Sequence, residues 1–167
     1  LQRAGAKNQN GRVYPKDILM REVNEYKKIQ PNENQLTKLL TWYAYCLTGE
    51  TSQEKAFLSL GYKGSNGKSL LTKIHSESMS IYSQKLHLKT FDDGYEKSHK
   101  VFHKTITKGI RYAYLEEISK KEADVSLYKD FIDGNGKLNV EVLFKQTSLE
   151  LNNYAKLTIN GNHDPNF

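Results

Sequence analysis

The chain has 167 residues, 11% of them aromatic, and a net charge of +6. That is enough for one cored domain, or one domain with a small appendage, and too aromatic for a disordered tail. The single cysteine, Cys46, excludes a disulfide scaffold and a cysteine zinc cluster and fits a reducing compartment, while no apolar run approaches the ~20 residues of a membrane helix.

Residues 1–13 read as a polar loop with an Asn-rich stretch. Pro15 opens a helix with Asp17 in its first turn and Ile18, Leu19, Val23 and Tyr26 on one face. Pro31 interrupts it. A second helix follows, with Asn32 as N-cap and Gln35 three residues on. Leu36, Leu39, Leu40, Tyr43 and Leu47 recur along it, and Gly49 ends it.

The pattern changes at Lys55. Ala56–Leu60 is a short apolar run, read as a buried strand. A glycine-rich turn and then Leu70, Leu71 and Ile74 at helical spacing complete a strand, loop and helix. Residues 83–108 are rich in Lys and His with little periodicity, and read as helix and loop. Ile110–Leu115 reads as a second strand and Val125–Ile132 as a helix. Gly134-Asn135-Gly136 is a turn, after which Leu138, Val140 and Val142 alternate as a strand does; Ala155–Asn160 is a further strand.

The most informative stretch is Gly61-Tyr62-Lys63-Gly64-Ser65-Asn66-Gly67-Lys68-Ser69, whose end is the closing half of a phosphate-binding P-loop. Glycines let backbone N–H groups point at phosphate oxygens, and the following helix presents its positive end to the same anion. In that reading Gly64, Ser65, Asn66, Gly67, Lys68, Ser69 and Leu70 line the nucleotide. Lys68 reaches the β- and γ-phosphates, and the Ser69 hydroxyl ligates Mg²⁺. The general pattern wants glycine where Tyr62 stands, and Gly61 comes one residue early. A plain glycine-rich surface turn is the alternative, but the predicted flanking strand and helix are the context the motif requires.

Arg111–Glu117 is an apolar strand closed by two carboxylates, Glu116 and Glu117. Nucleotide hydrolysis needs such a pair across the sheet from the P-loop, one for Mg²⁺ and one to polarise the attacking water. Glu116 is assigned to the metal and Glu117 to the water, and the two roles are interchangeable on the sequence. Asn162 lies just past the last strand, where an amide can contact the γ-phosphate and orient water.

Together these signals resemble the superfamily 3 helicases, and more narrowly the primase–helicase ATPases of large DNA viruses, phages and plasmids, the poxvirus type included. The resemblance is carried by Leu47-Thr48-Gly49 before the first strand, Gly64–Ser69, Glu116-Glu117, the segment Asp133–Phe144, and Asn162–Phe167. It covers about residues 31–167. It implies an α/β fold, a P-loop NTPase core of the AAA+ type with a central, mostly parallel sheet, preceded by a small helical segment. It further implies ATP and Mg²⁺ bound between subunits of a homo-oligomeric ring, usually a hexamer, that moves on single-stranded DNA. By position, Lys68, Glu116, Glu117 and Asn162 are its catalytic set. A hairpin near the third motif would touch DNA, with Lys137 and Lys145 as candidate phosphate contacts. The family's arginine finger has no counterpart up to Phe167, so this chain is expected to hydrolyse ATP poorly by itself.

Residues 1–29 separately resemble a stretch near the start of phage prohead proteases, with none of that family's catalytic residues placed. The expected division is thus residues 1–30 of uncertain origin, a helical lead-in at 31–54 and a partial ATPase core at 55–167. A nucleotide-binding module that does not translocate is the alternative function, and a capsid-maturation fragment the second. With no basic-then-apolar leader in the sequence and a viral resemblance, the expected location is intracellular, at a viral or phage replication site in the host cytoplasm. His99 and His103 have metal-ligand spacing without a partner set. Trp42, Tyr43 and Tyr45 are read as packing on the core rather than as a base-stacking platform, and Cys46 as a buried small residue.

Overall fold

The computed structural model describes residues 16–62, 64, 66–92, 108–117, 123–133, 137–141 and 148–163. The elements are α1 (Lys16–Ile29), α2 (Glu33–Cys46), β1 (Phe57–Leu60), α3 (Lys68–Met79), β2 (Ser83–Lys85), β3 (Tyr112–Leu115), α4 (Val125–Ile132), β4 (Lys137–Glu141), β5 (Ser148–Asn152) and β6 (Lys156–Gly161). Contacts divide the chain into two units, residues 1–41 and 42–167, with the division falling inside α2. No helix among the described residues is long and apolar enough to cross a membrane.

In the first unit, Pro31 cannot donate a backbone hydrogen bond, and α1 ends before it, with Gln30 N bonded to Tyr26 O at 2.9 Å. Asn32 then caps α2 as its position predicts: its Oδ1 accepts from Gln35 N at 3.1 Å. Residues 1–15, which hold most of the stretch resembling a prohead protease, lie outside the described residues.

In the second unit, β1, β6, β3 and β2 form a four-stranded sheet in that order, parallel throughout. The register pairs Leu60 with Gly161 and Leu115 with Ile159. β2 falls in the stretch read as helix and loop. Ser83-Gln84-Lys85 has no apolar residue, and what makes it a strand is its pairing with Tyr112–Tyr114. β5 is likewise absent from the sequence reading. It pairs antiparallel with β4 as a separate two-stranded sheet, with Lys137 opposite Asn152.

The two faces of the main sheet differ in chemistry. Ala113, Leu115, Leu157 and Ile159 share a cluster with Leu86, Phe91, Ile110, Ala155 and the fully buried Phe131 of α4. Phe91 meets the Phe131 ring edge-on at 5.8 Å. The other face is polar and aromatic. Lys156, Thr158 and Asn160 alternate along β6, each 3% exposed or less. The Trp42 indole N–H donates to Thr158 Oγ1 at 2.8 Å. Tyr43 stacks on His75 of α3 at 3.8 Å, and His75 meets Tyr112 edge-on. The last turn of α2 therefore packs on the sheet, as expected for Trp42 and Tyr43, and Cys46 is fully buried, which pushes its thiol up to about 12.

Two cations bind carbonyls in the turn that follows α2. Arg111 Nη1 donates to Leu47 O at 2.8 Å, and Lys156 Nζ donates to Thr48 O. Lys156 also lies over the Tyr45 ring, 5.1 Å from its centroid. Burial pulls the Lys156 ammonium down to about 8.

Candidate functional site

The site lies where the parallel strands end, the side on which open α/β sheets collect ligands. β1 stops at Leu60, and Gly61 extends the pairing by one bond, its N–H donating to Gly161 O at 3.1 Å. A Cβ at Gly61 would stand 1.9 Å from Asn66 Nδ2 and 3.0 Å from Lys68 Nζ. The Asn66 side chain thus folds across Gly61, and a Cβ there would displace its amide. The loop closes at Gly67, whose φ of 81° is open to glycine and strained for other residues. Leu71 N then bonds to Gly67 O at 3.0 Å and α3 begins.

Lys68 is the first residue of α3 and is half-buried. Its ammonium donates to Asn66 Oδ1 at 2.8 Å, Asn162 Oδ1 at 3.1 Å and Gly61 O at 3.3 Å. These oxygens come from the loop, from the end of β1 and from the residue after β6. All three belong to neutral groups, which solvate the ammonium; among the described residues no carboxylate is paired with it. The first N–H groups of α3 add a partial positive charge beside it. Ser69 and Leu70, in that first turn, are exposed, as are Gly64 and Asn66 of the loop. Ser65 lies outside the described residues.

Glu116 and Glu117 follow β3 directly and are exposed. The β3–β6 pairing ends with Leu115 level with Ile159, and the two carboxylates follow in the bend beyond it. β6 lies between β1 and β3, so the strand that ends in Asn162 separates the phosphate-type loop from the acidic pair. Glu116 forms an ion pair with Lys85 at the end of β2. That hydrogen bond raises the Lys85 ammonium above its ordinary value. The structure thus brings Lys68 and Asn162 into contact and gives Glu116 a lysine partner.

Lys137 opens β4, but its side chain and the whole of Lys145 lie outside the described residues, as do His99 and His103. Sequence reasoning missed four residues around the site. Lys85 was hidden because β2 has no apolar signal. Gly61 was set aside for its spacing alone. Thr72 and Asn160 form a buried hydrogen bond, Asn160 Nδ2 to Thr72 Oγ1 at 2.7 Å, between residues 88 apart in sequence. One signal was available for that pair: a Thr next to Leu70 and Leu71 of α3 and an Asn next to Ile159 in a strand, both polar groups that burial penalises unless they are bonded.

No family model matches the chain, and no curated protein matches it. Among solved structures it is similar to the apo structure of the C-terminal region (305–718) of NrS-1, with a TM-score of 0.58 and 14% sequence identity. The match covers 97% of this chain and 36% of that one, so the chain spans about a third of the length of the structure it resembles. What is shared at this level is the α/β fold, a small parallel sheet with helices packed on it.

Proposed function

We propose that this chain is the nucleotide-binding core of an ATP-dependent DNA helicase or translocase of the viral replication type. One observation carries the reading. The Lys68 ammonium stands at the start of α3, ringed by neutral oxygens from Gly61, Asn66 and Asn162, at the carboxyl end of a parallel sheet. A charge held that way has its partner still to come, and a triphosphate is the partner that a glycine-closed loop at a helix N-terminus suits. The sequence resemblance to superfamily 3 helicases and the fold shared with the NrS-1 region support the same reading.

In this reading Lys68 and the loop from Gly64 to Leu70 bind the phosphates. Asn162 would leave Lys68 for the γ-phosphate and orient the attacking water, and Glu117 would polarise that water by accepting a hydrogen bond from it. Ser69 and Glu116 hold Mg²⁺, which keeps most of its waters and needs only one or two protein ligands beside the phosphates. Bound there, the ion neutralises charge developing on the phosphate oxygens. Glu116 must exchange Lys85 for the ion, and its exposure makes that exchange cheap. ATP sits between subunits of a ring, and lysines such as Lys137 and Lys145 contact single-stranded DNA phosphates.

The test is calorimetric titration of Mg-ATP into the chain and into Lys68→Ala, followed by ATP turnover with and without single-stranded DNA. Micromolar binding that Lys68→Ala abolishes, with turnover that DNA stimulates, is the expected result. Binding without DNA-stimulated turnover favours a nucleotide-binding module that does not translocate. Equal binding by both proteins, or none, refutes the nucleotide site.

A further inference from the structure

We propose that Asn160 is a positioning residue for the phosphate site, acting through Thr72 to hold Lys68 and Asn162 in register. The inference rests on the nucleotide reading above and deepens it. The contact between Lys68 and Asn162 is one of two rungs between α3 and β6. The second is the hydrogen bond from Asn160 Nδ2 to Thr72 Oγ1 at 2.7 Å.

The spacing of the rungs is matched. Thr72 follows Lys68 by four residues on the helix, a rise of about 6 Å. Asn160 precedes Asn162, the residue just past the end of β6, by two residues, a rise of about 6.6 Å for extended chain. Helix and strand run in opposite senses here, so both pairs meet in one alignment. The outer rung is exposed at Asn162 and half-buried at Lys68, whereas both members of the inner rung are 2% exposed. An exposed amide and a long lysine hold a geometry weakly. A buried amide and hydroxyl hold it firmly, because sliding either past the other strands two polar groups in the core.

The neighbourhood supports a built alignment rather than a stray polar contact. Thr158, two residues earlier on the same face of β6, accepts from the Trp42 indole at 2.8 Å. Lys156, two residues earlier again, reaches Thr48 O and Tyr154 O. Every second residue from Lys156 to Asn162 therefore engages a polar group, and all but Tyr154 O belong to the segments around α2 and α3. An apolar strand face would bury more hydrophobic area, but it would define the helix alignment only by shape. On this face the alignment is set by directional hydrogen bonds as well as by shape. Asn160 touches no nucleotide in this scheme; it sets where the amide of Asn162 and the ammonium of Lys68 stand when the phosphates arrive.

The experiment measures affinity for a non-hydrolysable Mg-ATP analogue by calorimetry, and thermal stability in parallel. The variants are Thr72→Val, Thr72→Ser and the double variant Thr72→Val with Asn160→Leu. Replacing both partners of a buried hydrogen bond by apolar groups of similar shape is close to neutral for stability. The double variant is therefore expected to melt near the wild type yet bind the analogue about tenfold or more weakly, as loss of alignment at a phosphate site demands. Thr72→Ser, which keeps the hydroxyl, is expected to bind at least severalfold more tightly than the near-isosteric Thr72→Val. A double variant that melts and binds like the wild type overturns the proposal. So does equal affinity of Thr72→Ser and Thr72→Val, a comparison that stands even if the double variant does not fold. Failure of the wild type itself to bind overturns the nucleotide reading and this inference with it, and is distinct from both.

Discussion

Lowering the pH from 7.5 to 5 is expected to cost this protein about 2 kcal/mol of stability through His75 alone. His75 is 6% exposed on α3, three residues beyond Thr72, with its ring stacked on Tyr43 at 3.8 Å and edge-on to Tyr112. Its Nε2 is buried with no hydrogen-bond partner among the described residues. Burial without an acceptor penalises the imidazolium and pulls the pKa from 6.5 to about 4. The folded value is below the unfolded one, so between those two values the unfolded chain binds more protons. Stability is therefore complete above pH 6.5, falls as the pH drops toward 4, and falls no further below it. Integrated from 7.5 to 5 with these two pKa values, the loss is about 2 kcal/mol; the full window would cost about 3 kcal/mol. The assay is urea unfolding at both pH values for the wild type and His75→Phe, which keeps an aromatic ring between Tyr43 and Tyr112. Every other titratable group is common to both proteins, so the difference between their pH slopes isolates His75. Equal slopes refute the reasoning.

Phe131→Ala should destabilise the second unit by about 3–5 kcal/mol in chemical unfolding, since the ring is fully buried in the aliphatic cluster on the α4 face of the sheet. Gly61→Ala should push the Asn66 amide off its place beside Lys68, because a Cβ there stands 1.9 Å from Asn66 Nδ2. Nucleotide affinity should fall about tenfold in calorimetry while the melting temperature changes little, because the displaced group is an exposed side-chain end. Lys85→Ala should change stability by no more than about 1 kcal/mol, because its pair with Glu116 is at the surface. It should also lower the Mg²⁺ concentration needed for half-maximal nucleotide binding, by freeing the Glu116 carboxylate.

What the sequence settles by itself is local. Proline cannot continue α1, so the break at Pro31 is legible, and an Asn side chain caps the next helix wherever the chain bends there, so Asn32 is legible too. The strands at 56–60, 110–115 and 155–160 are legible as short stretches of apolar, aromatic or β-branched residues bounded by loops. The loop and helix of the candidate site are legible for a local reason too: glycine is needed where φ is positive, and Gly67 has that φ.

The tertiary structure decides what depends on partners distant in sequence. β2 has no apolar residue and is a strand only because β3 pairs with it, and β5 exists through its pairing with β4. The placing of β6 between β1 and β3 puts Asn162 against Lys68 across 94 positions, which no spacing rule along the chain specifies. The same holds for Glu116 and Lys85, for Thr72 and Asn160, and for Gly61, across which the Asn66 side chain lies. Periodicity records which face a residue presents; which group meets that face is set when the strand order closes the sheet, and the chemistry of this site lies in those meetings.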